Sequence, residues 1–384
     1  MRKPLIATAA CVALVGSTLL VASPASANGR GHSHHPTPPS VSVGSARTLA
    51  DGLLSPLSLD VTSKGTAYVT ENFGGTLVKV DRTGTKTTLA SAPGDEISAV
   101  SSRNGAVYYA QLAQDHSRAV LKSISKAGVT TQLADIHAYE QRVNPDKKNT
   151  YGAIGLPASC AAQFPPPAPA TYAGTVDTHP YASLATKRGI YVADAGANAI
   201  FKIGYNGAIS TVAVLPAQPP ITLTAELLTA QGLPTCAAGY QYRFEPVPTD
   251  VEQGANGWLY VTSLPGGPED ASLGARGGVY KVNPYTGAVK LVARGFVGAT
   301  GLAVLPTGAV AVAELFGGSA GTGQVSIFWP GKNVAKKTIA LSAPAAIERV
   351  GKKLYVTTDA LPSETAPPNG KITVLPFRAK AGHR

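Results

Sequence analysis

Charge is scarce in this chain. Lys, Arg, Asp and Glu make up only 14% of its 384 residues, against roughly 25% in an average soluble protein. The basic residues form no stripe interleaved with aromatics, so there is no signature of nucleic-acid binding. Cysteine is almost absent as well: of 3 in the chain, Cys11 lies near the N-terminus and only Cys160 and Cys236 lie beyond it. After residue 27 no apolar run is long enough to span a membrane. No H-E-x-x-H and no phosphate-binding glycine loop is present, which removes the common zinc-hydrolase and nucleotide signatures.

Gly (41) and Pro (30) are plentiful instead. Many short apolar runs separated by Gly and Pro turns point to an all-β protein rather than a helical one. The N-terminus stands apart. Arg2 and Lys3 precede the apolar stretch Leu5 to Ala22, and Ala25-Ser26-Ala27 supplies small residues for cleavage. Residues 1–27 therefore read as a secretory signal peptide and the mature product as secreted and extracellular. Cleavage removes two cations and takes the formal net charge from +11 to +9. That charge gives a weak attraction to anionic cell-surface polymers. Residues 28–40, with His32, His34, His35 and several prolines, read as a disordered linker.

The stretch His179 to Pro216 sets the pattern. Four short apolar runs are separated by Lys187-Arg188-Gly189, Ala195 to Asn198, and Asn206-Gly207. Asn-Gly between alternating apolar residues is a strong hairpin signal, because both residues tolerate positive φ. This predicts a four-stranded antiparallel meander, and the chain repeats it. Second strands read AYVTE (67–71), VYYAQ (107–111), IYVAD (190–194), LYVTS (259–263), VAVAE (310–314) and LYVTT (354–358). The last repeat lacks a fourth strand, whereas 41–49 near the N-terminus is an unclaimed one. Pairing the two closes a ring without free edges. The expectation is a six-bladed β-propeller over 41–378, followed by a basic tail at 379–384.

Two stretches, 136–178 and 216–246, do not fit the repeat. Each holds one mature cysteine, and in an exported protein Cys160 and Cys236 are expected to pair. Both insertions, and the long turns at 264–278, 315–323 and 359–370, fall on the face where innermost strands begin. That face is the elaborated one and is expected to carry any binding site.

Second strands end on that face at Glu71, Gln111, Asp194, Ser263, Glu314 and Thr358. Innermost strands, crowded at the axis, should prefer small residues; aligned positions read Ser58, Ser98, Ala182, Asp250, Gly301 and Ala346, with Asp250 the exception. Glu96 and His179 lie at the mouths of their strands. Glu71, Glu96, Gln111, His179, Asp194, Asp250 and Glu314 are thus the candidate ligand-binding residues. Carboxylates converging on one channel raise one another's pKa. A divalent cation held by Glu71, Asp194, Asp250 and Glu314 would relieve this, and calcium suits such oxygen ligands. No cofactor is otherwise signalled.

The runs at 179–203 (HPYASLATKRGIYVADAGANAIFKI), 247–287 and 298–318 resemble the ScyD/ScyE family of secreted β-propellers, and more distantly the NHL-repeat and gluconolactonase-like propellers. The resemblance implies an extracytoplasmic accessory or binding role, and the expected function is that of a secreted, non-catalytic protein that binds a small molecule or an extracellular partner through the elaborated face. The gluconolactonase-like relatives imply the alternative, a metal-dependent hydrolase or lactonase in the central channel, with Glu71, Asp194, Asp250 and Glu314 as its nearest metal ligands.

Overall fold

The computed structural model describes residues 38–166, 168–363 and 365–382. The expected signal peptide, all of the linker but its last three residues, and the final two residues of the tail lie outside the described residues. Six antiparallel sheets form the ring. Their innermost strands are Leu59–Val61, Asp95–Arg103, Pro180–Thr186, Pro248–Gln253, Ala299–Val304 and Ile347–Val350. Each is followed outward by the second, third and fourth strands of its blade.

Blade 3 explains the continuous apolar runs. Its second strand, Gly189–Asp194, is buried along its whole length. Successive side chains of a strand point to opposite faces. Ile190 and Val192 accordingly pack with Leu121, Ala134 and Phe201 on the blade 2 side. Tyr191 and Ala193 pack with Val251, Leu259 and Val261 of blade 4. A strand with blades on both sides has no solvent face, so both phases of the alternation are apolar.

Closure follows the expected scheme. The third strand of blade 6, Gly370–Lys380, pairs with two N-terminal strands, Ser40–Val43 and Arg47–Leu53. The outer strand is therefore broken at 44–46 and reaches further than residue 49. The third strand also runs through Lys380, two residues into the segment expected to be tail.

The insertions have structure of their own and together form a cap on the elaborated face. Thr150–Ile154 and Thr171–Ala173 from the first pair with Gln241–Arg243 and Ile221–Thr222 from the second, in one four-stranded sheet. Helix Ile136–Val143 packs through Ile136 and Tyr139 into the core between blades 2 and 3, and helix Ala225–Ala230 contributes Leu228 to the core of the insertions. Cys160 and Cys236 are bonded, with Cα atoms 5.9 Å apart. Around them Phe164, Leu223, Leu228 and Ala237 form a small separate core. Among the described residues no helix is long and apolar enough to cross a membrane.

Candidate functional site

Five of the six aligned positions, Ser58, Ala182, Asp250, Gly301 and Ala346, line the channel, together with Leu57, Leu59, Ser183, Thr249, Thr300, Ile347 and Glu348; the Ser98 hydroxyl instead donates to the Pro180 carbonyl of blade 3 at 2.6 Å. Crowding there is severe. A Cβ on Gly301 would stand 2.6 Å from the carbonyl oxygen of Ala345 in the next blade. The open space amounts to about 10 Å³, room for about one water. Above it the mouth is apolar: Leu57 packs against Tyr181, Ala195 and Val247 on one side and against Leu315, Ala345 and Ala360 on the other.

Asp250 breaks its repeat for a structural reason. One carboxyl oxygen accepts the Val251 N–H at 2.8 Å, the other the Leu302 N–H of blade 5 at 2.6 Å. Ser58, at the same position in blade 1, accepts the Val100 N–H of blade 2 at 3.0 Å. Asp250 thus pins two blades together as Ser58 does, and burial pushes its pKa up to about 7.

The channel carboxylates below Asp250 escaped the sequence reading. Asp60, Glu252 and Glu348 stand two residues beyond Ser58, Asp250 and Ala346, where the two-residue period of a strand returns the side chain to the same face. Ser102 donates to Asp60 at 2.5 Å. Burial raises Asp60 to about 6 and holds Glu252 and Glu348 well above the ordinary carboxyl range, with their mutual charges adding to the effect.

Second-strand ends hold their own blades rather than meeting at the axis. Glu71 accepts the Leu54 N–H at 2.9 Å, Asp194 the His179 N–H at 2.9 Å, and Glu314 the Val297 N–H at 2.8 Å. Each clasps the chain just before the innermost strand of the same blade. Gln111 does so through side chains, donating to Asp95 and accepting from Lys122 at 2.5 Å. Glu71, Asp194, Asp250 and Glu314 are therefore not brought together. Among the described residues no three His, Cys, Asp or Glu side chains are grouped as a metal ion requires.

Glu96 and His179 do meet, between blades 2 and 3 on the capped face. His179 Nε2 lies 3.3 Å from Glu96 Oε1, which also accepts Asn72 Nδ2 at 2.8 Å. Beside them His116, from the turn after the second strand of blade 2, has Nδ1 2.6 Å from Asp177 Oδ1. The two imidazoles face each other with centroids 4.6 Å apart, and their side chains are 29% and 24% exposed. His116 was missed because one histidine in a polar turn carries no spacing signal; its turn was nonetheless assignable to this face. Burial opposes the charged form of His179, but the adjacent Glu96 carboxylate outweighs it and pushes the pKa up to about 9. Burial likewise opposes ionised Glu96, and the charge and hydrogen bond of His179 reverse that, leaving Glu96 below its ordinary value.

Behind this pair lie two fully buried acids. Glu140 accepts the Asp177 N–H at 3.0 Å and the Thr178 hydroxyl. Burial, then the charge of Asp194, raise it to about 8; burial raises Asp194 to about 6. Their sign predicts the pH profile of stability. Unfolded carboxyls titrate near 4, so between pH 4 and 8 the folded state retains protons that the unfolded chain has released. Stability then falls as pH rises. His179 acts in the same direction, its contribution being complete below pH 6.5 and lost as pH climbs through about 9. The melting temperature should therefore be higher at pH 5 than at pH 8.5, and Glu140→Gln should flatten the decline. A melting temperature that rises over that interval would contradict this assignment.

The ring is a β-propeller. Its fold is similar to the PQQ-bound aldose sugar dehydrogenase of Streptomyces coelicolor, with a TM-score of 0.53 and 13% identity over 89% of this chain and 100% of that one. A glucose dehydrogenase from Thermus thermophilus gives 0.51 and 13% over 87% and 100%. Streptogramin B lyase gives 0.48 and 14% over 88% and 98%. At such identities the likeness is one of fold alone, and propellers host unrelated functions. Neither a protein-family model nor a curated protein sequence matches the chain.

Proposed function

We propose that the chain is a secreted, non-catalytic propeller of the ScyD/ScyE type that binds a small molecule or an extracellular partner through its capped face. The observation that carries this reading is the filled axis. A space of about 10 Å³ under an apolar mouth admits no substrate. Nor does it fit a redox cofactor of the kind held by the PQQ-bound sugar dehydrogenase. The acids proposed as metal ligands are already engaged with backbone N–H groups. The capped face, in contrast, exposes Phe73, Ile154, Val176 and Leu361.

Metal content and calcium-dependent thermal shift of the mature protein, with Asp250→Ala beside it, test this reading. The expected result is no calcium-dependent shift in either protein. Asp250→Ala should lower stability regardless of calcium, by about 1–3 kcal/mol, because buried N–H groups lose their acceptor. A stoichiometric metal whose stabilising shift vanishes in Asp250→Ala would restore the metal-dependent hydrolase or lactonase.

A second reading keeps catalysis but moves it off the axis. Two partly exposed histidines, each beside a carboxylate, are suited to general acid–base work. Turnover of a lactone or ester that is lost in both His116→Ala and His179→Ala would favour it.

A further inference from the structure

A cleft of about 930 Å³ opens on the face opposite the cap, at the seam between blades 6 and 1. Arg47, Lys64, Arg82, Lys352, Lys353 and Arg378 line it, and no Asp or Glu does. All six side chains are exposed, and among the described residues none is ion-paired. The cleft lies beside the break in the outer strand at 44–46.

The backbone that presents these cations is held at several points. Lys64 sits in a turn closed by Gly65 N–H to Thr62 O at 2.8 Å and Thr62 N–H to Thr66 O at 2.9 Å. Gly65 takes φ +83°, and a Cβ there would stand 3.4 Å from Arg82 Cγ and 3.5 Å from the Tyr355 hydroxyl. The Lys352 carbonyl accepts the Phe377 N–H at 2.9 Å, and Gly44 N–H donates to Pro376 O at 2.8 Å. Cations converging on a concave surface focus their field into it.

We propose that this groove binds a linear acidic polysaccharide. The inference rests on the reading of the chain as a secreted binding protein only for its setting; the groove is a separate site from the capped face. A single extended strand with spaced negative charges matches cations spread along a groove. A single-stranded nucleic acid would need exposed rings for its bases to stack on, yet Tyr355 and Phe377 are 5% and 4% exposed. A flat bilayer cannot follow cations down the walls of a cleft.

Binding of polygalacturonate to the mature protein, measured by calorimetry at two salt concentrations, is the test. The triple variant Lys64→Glu, Lys352→Glu and Lys353→Glu should bind at least about tenfold more weakly and show a shallower salt dependence, because fewer counterions are released. The milder pair Arg82→Gln and Arg378→Gln should lose less while leaving the melting temperature unchanged. A control with the same charge change elsewhere, Lys147→Glu, Lys148→Glu and Lys332→Glu, should bind nearly as the parent does. Equal losses in groove and control variants would overturn the site, as would absence of polygalacturonate binding by the parent. Tighter retention of oligothymidylate or phosphatidylglycerol vesicles than of polygalacturonate would overturn the ligand class. A calcium-binding channel would leave all these outcomes unchanged, so the two readings fail separately.

Discussion

A chain beginning at Leu54 is expected to yield no folded monomer. Removing residues 38–53 takes away both strands that pair with Gly370–Lys380 and leaves its outer edge open. Val41, Leu49 and Leu53, each at most 8% exposed, leave the core with them. At about 1.5–3 kcal/mol for each such side chain the loss is roughly 5–9 kcal/mol. That is comparable with the whole stability of a typical domain, about 5–15 kcal/mol. The bared edge is also a template for aggregation. Gel filtration and circular dichroism of the truncated chain, with and without a peptide of residues 38–53, check this. Rescue by the peptide is expected. A soluble monomer that melts cooperatively without the peptide would show that the ring does not depend on this closure.

Cys160→Ser should lower stability by about 4 kcal/mol in the chain-entropy model, since the bond closes a loop with a sequence separation of 76 residues. For a protein of this size that is a fall of several to about 10 °C in melting temperature. The ring should survive, because the cap core of Phe164, Leu223, Leu228 and Ala237 is separate from the clusters between blades. The enclosed loop contains all of blade 3, however, so the loss should appear in global unfolding as well as in the cap. Melting of the oxidised parent and the variant, followed by limited proteolysis between 155 and 178, separates the two effects. An unchanged melting temperature would mean that the bond constrains little in the unfolded chain.

The ring was legible because one local signal recurs. AYVTE, LYVTS and VAVAE match their observed strands residue for residue, since each follows a turn and is packed between neighbours on both faces. The cap was not legible. Its strands Thr171–Ala173 and Gln241–Arg243 are three residues long and lie about seventy residues apart, with no period to link them. At the axis the position of Asp250 could be read but not its role, because its partner is the backbone N–H of Leu302, which no sequence pattern marks. Glu71, Asp194 and Glu314 looked like ligands for the same reason. A carboxylate that holds a backbone N–H and one that awaits a cation are the same letter. Asp60, Glu252 and Glu348 were within reach, since extending the inner-strand alignment by one period brings them up.

The pairing of Ser40 with Lys380 places both ends of the described chain side by side at one end of the same strand pair. A force applied through the two ends would meet that pair in peeling geometry. Its hydrogen bonds would be loaded one after another, from Ser40 and Lys380 inward, rather than shared as in shear. Anchored at one end and pulled at the other, the protein should open at blade 6 at low force, while the disulfide-enclosed blade 3 resists longest. A ring closed against edge-to-edge pairing is, mechanically, a clasp with its tab exposed.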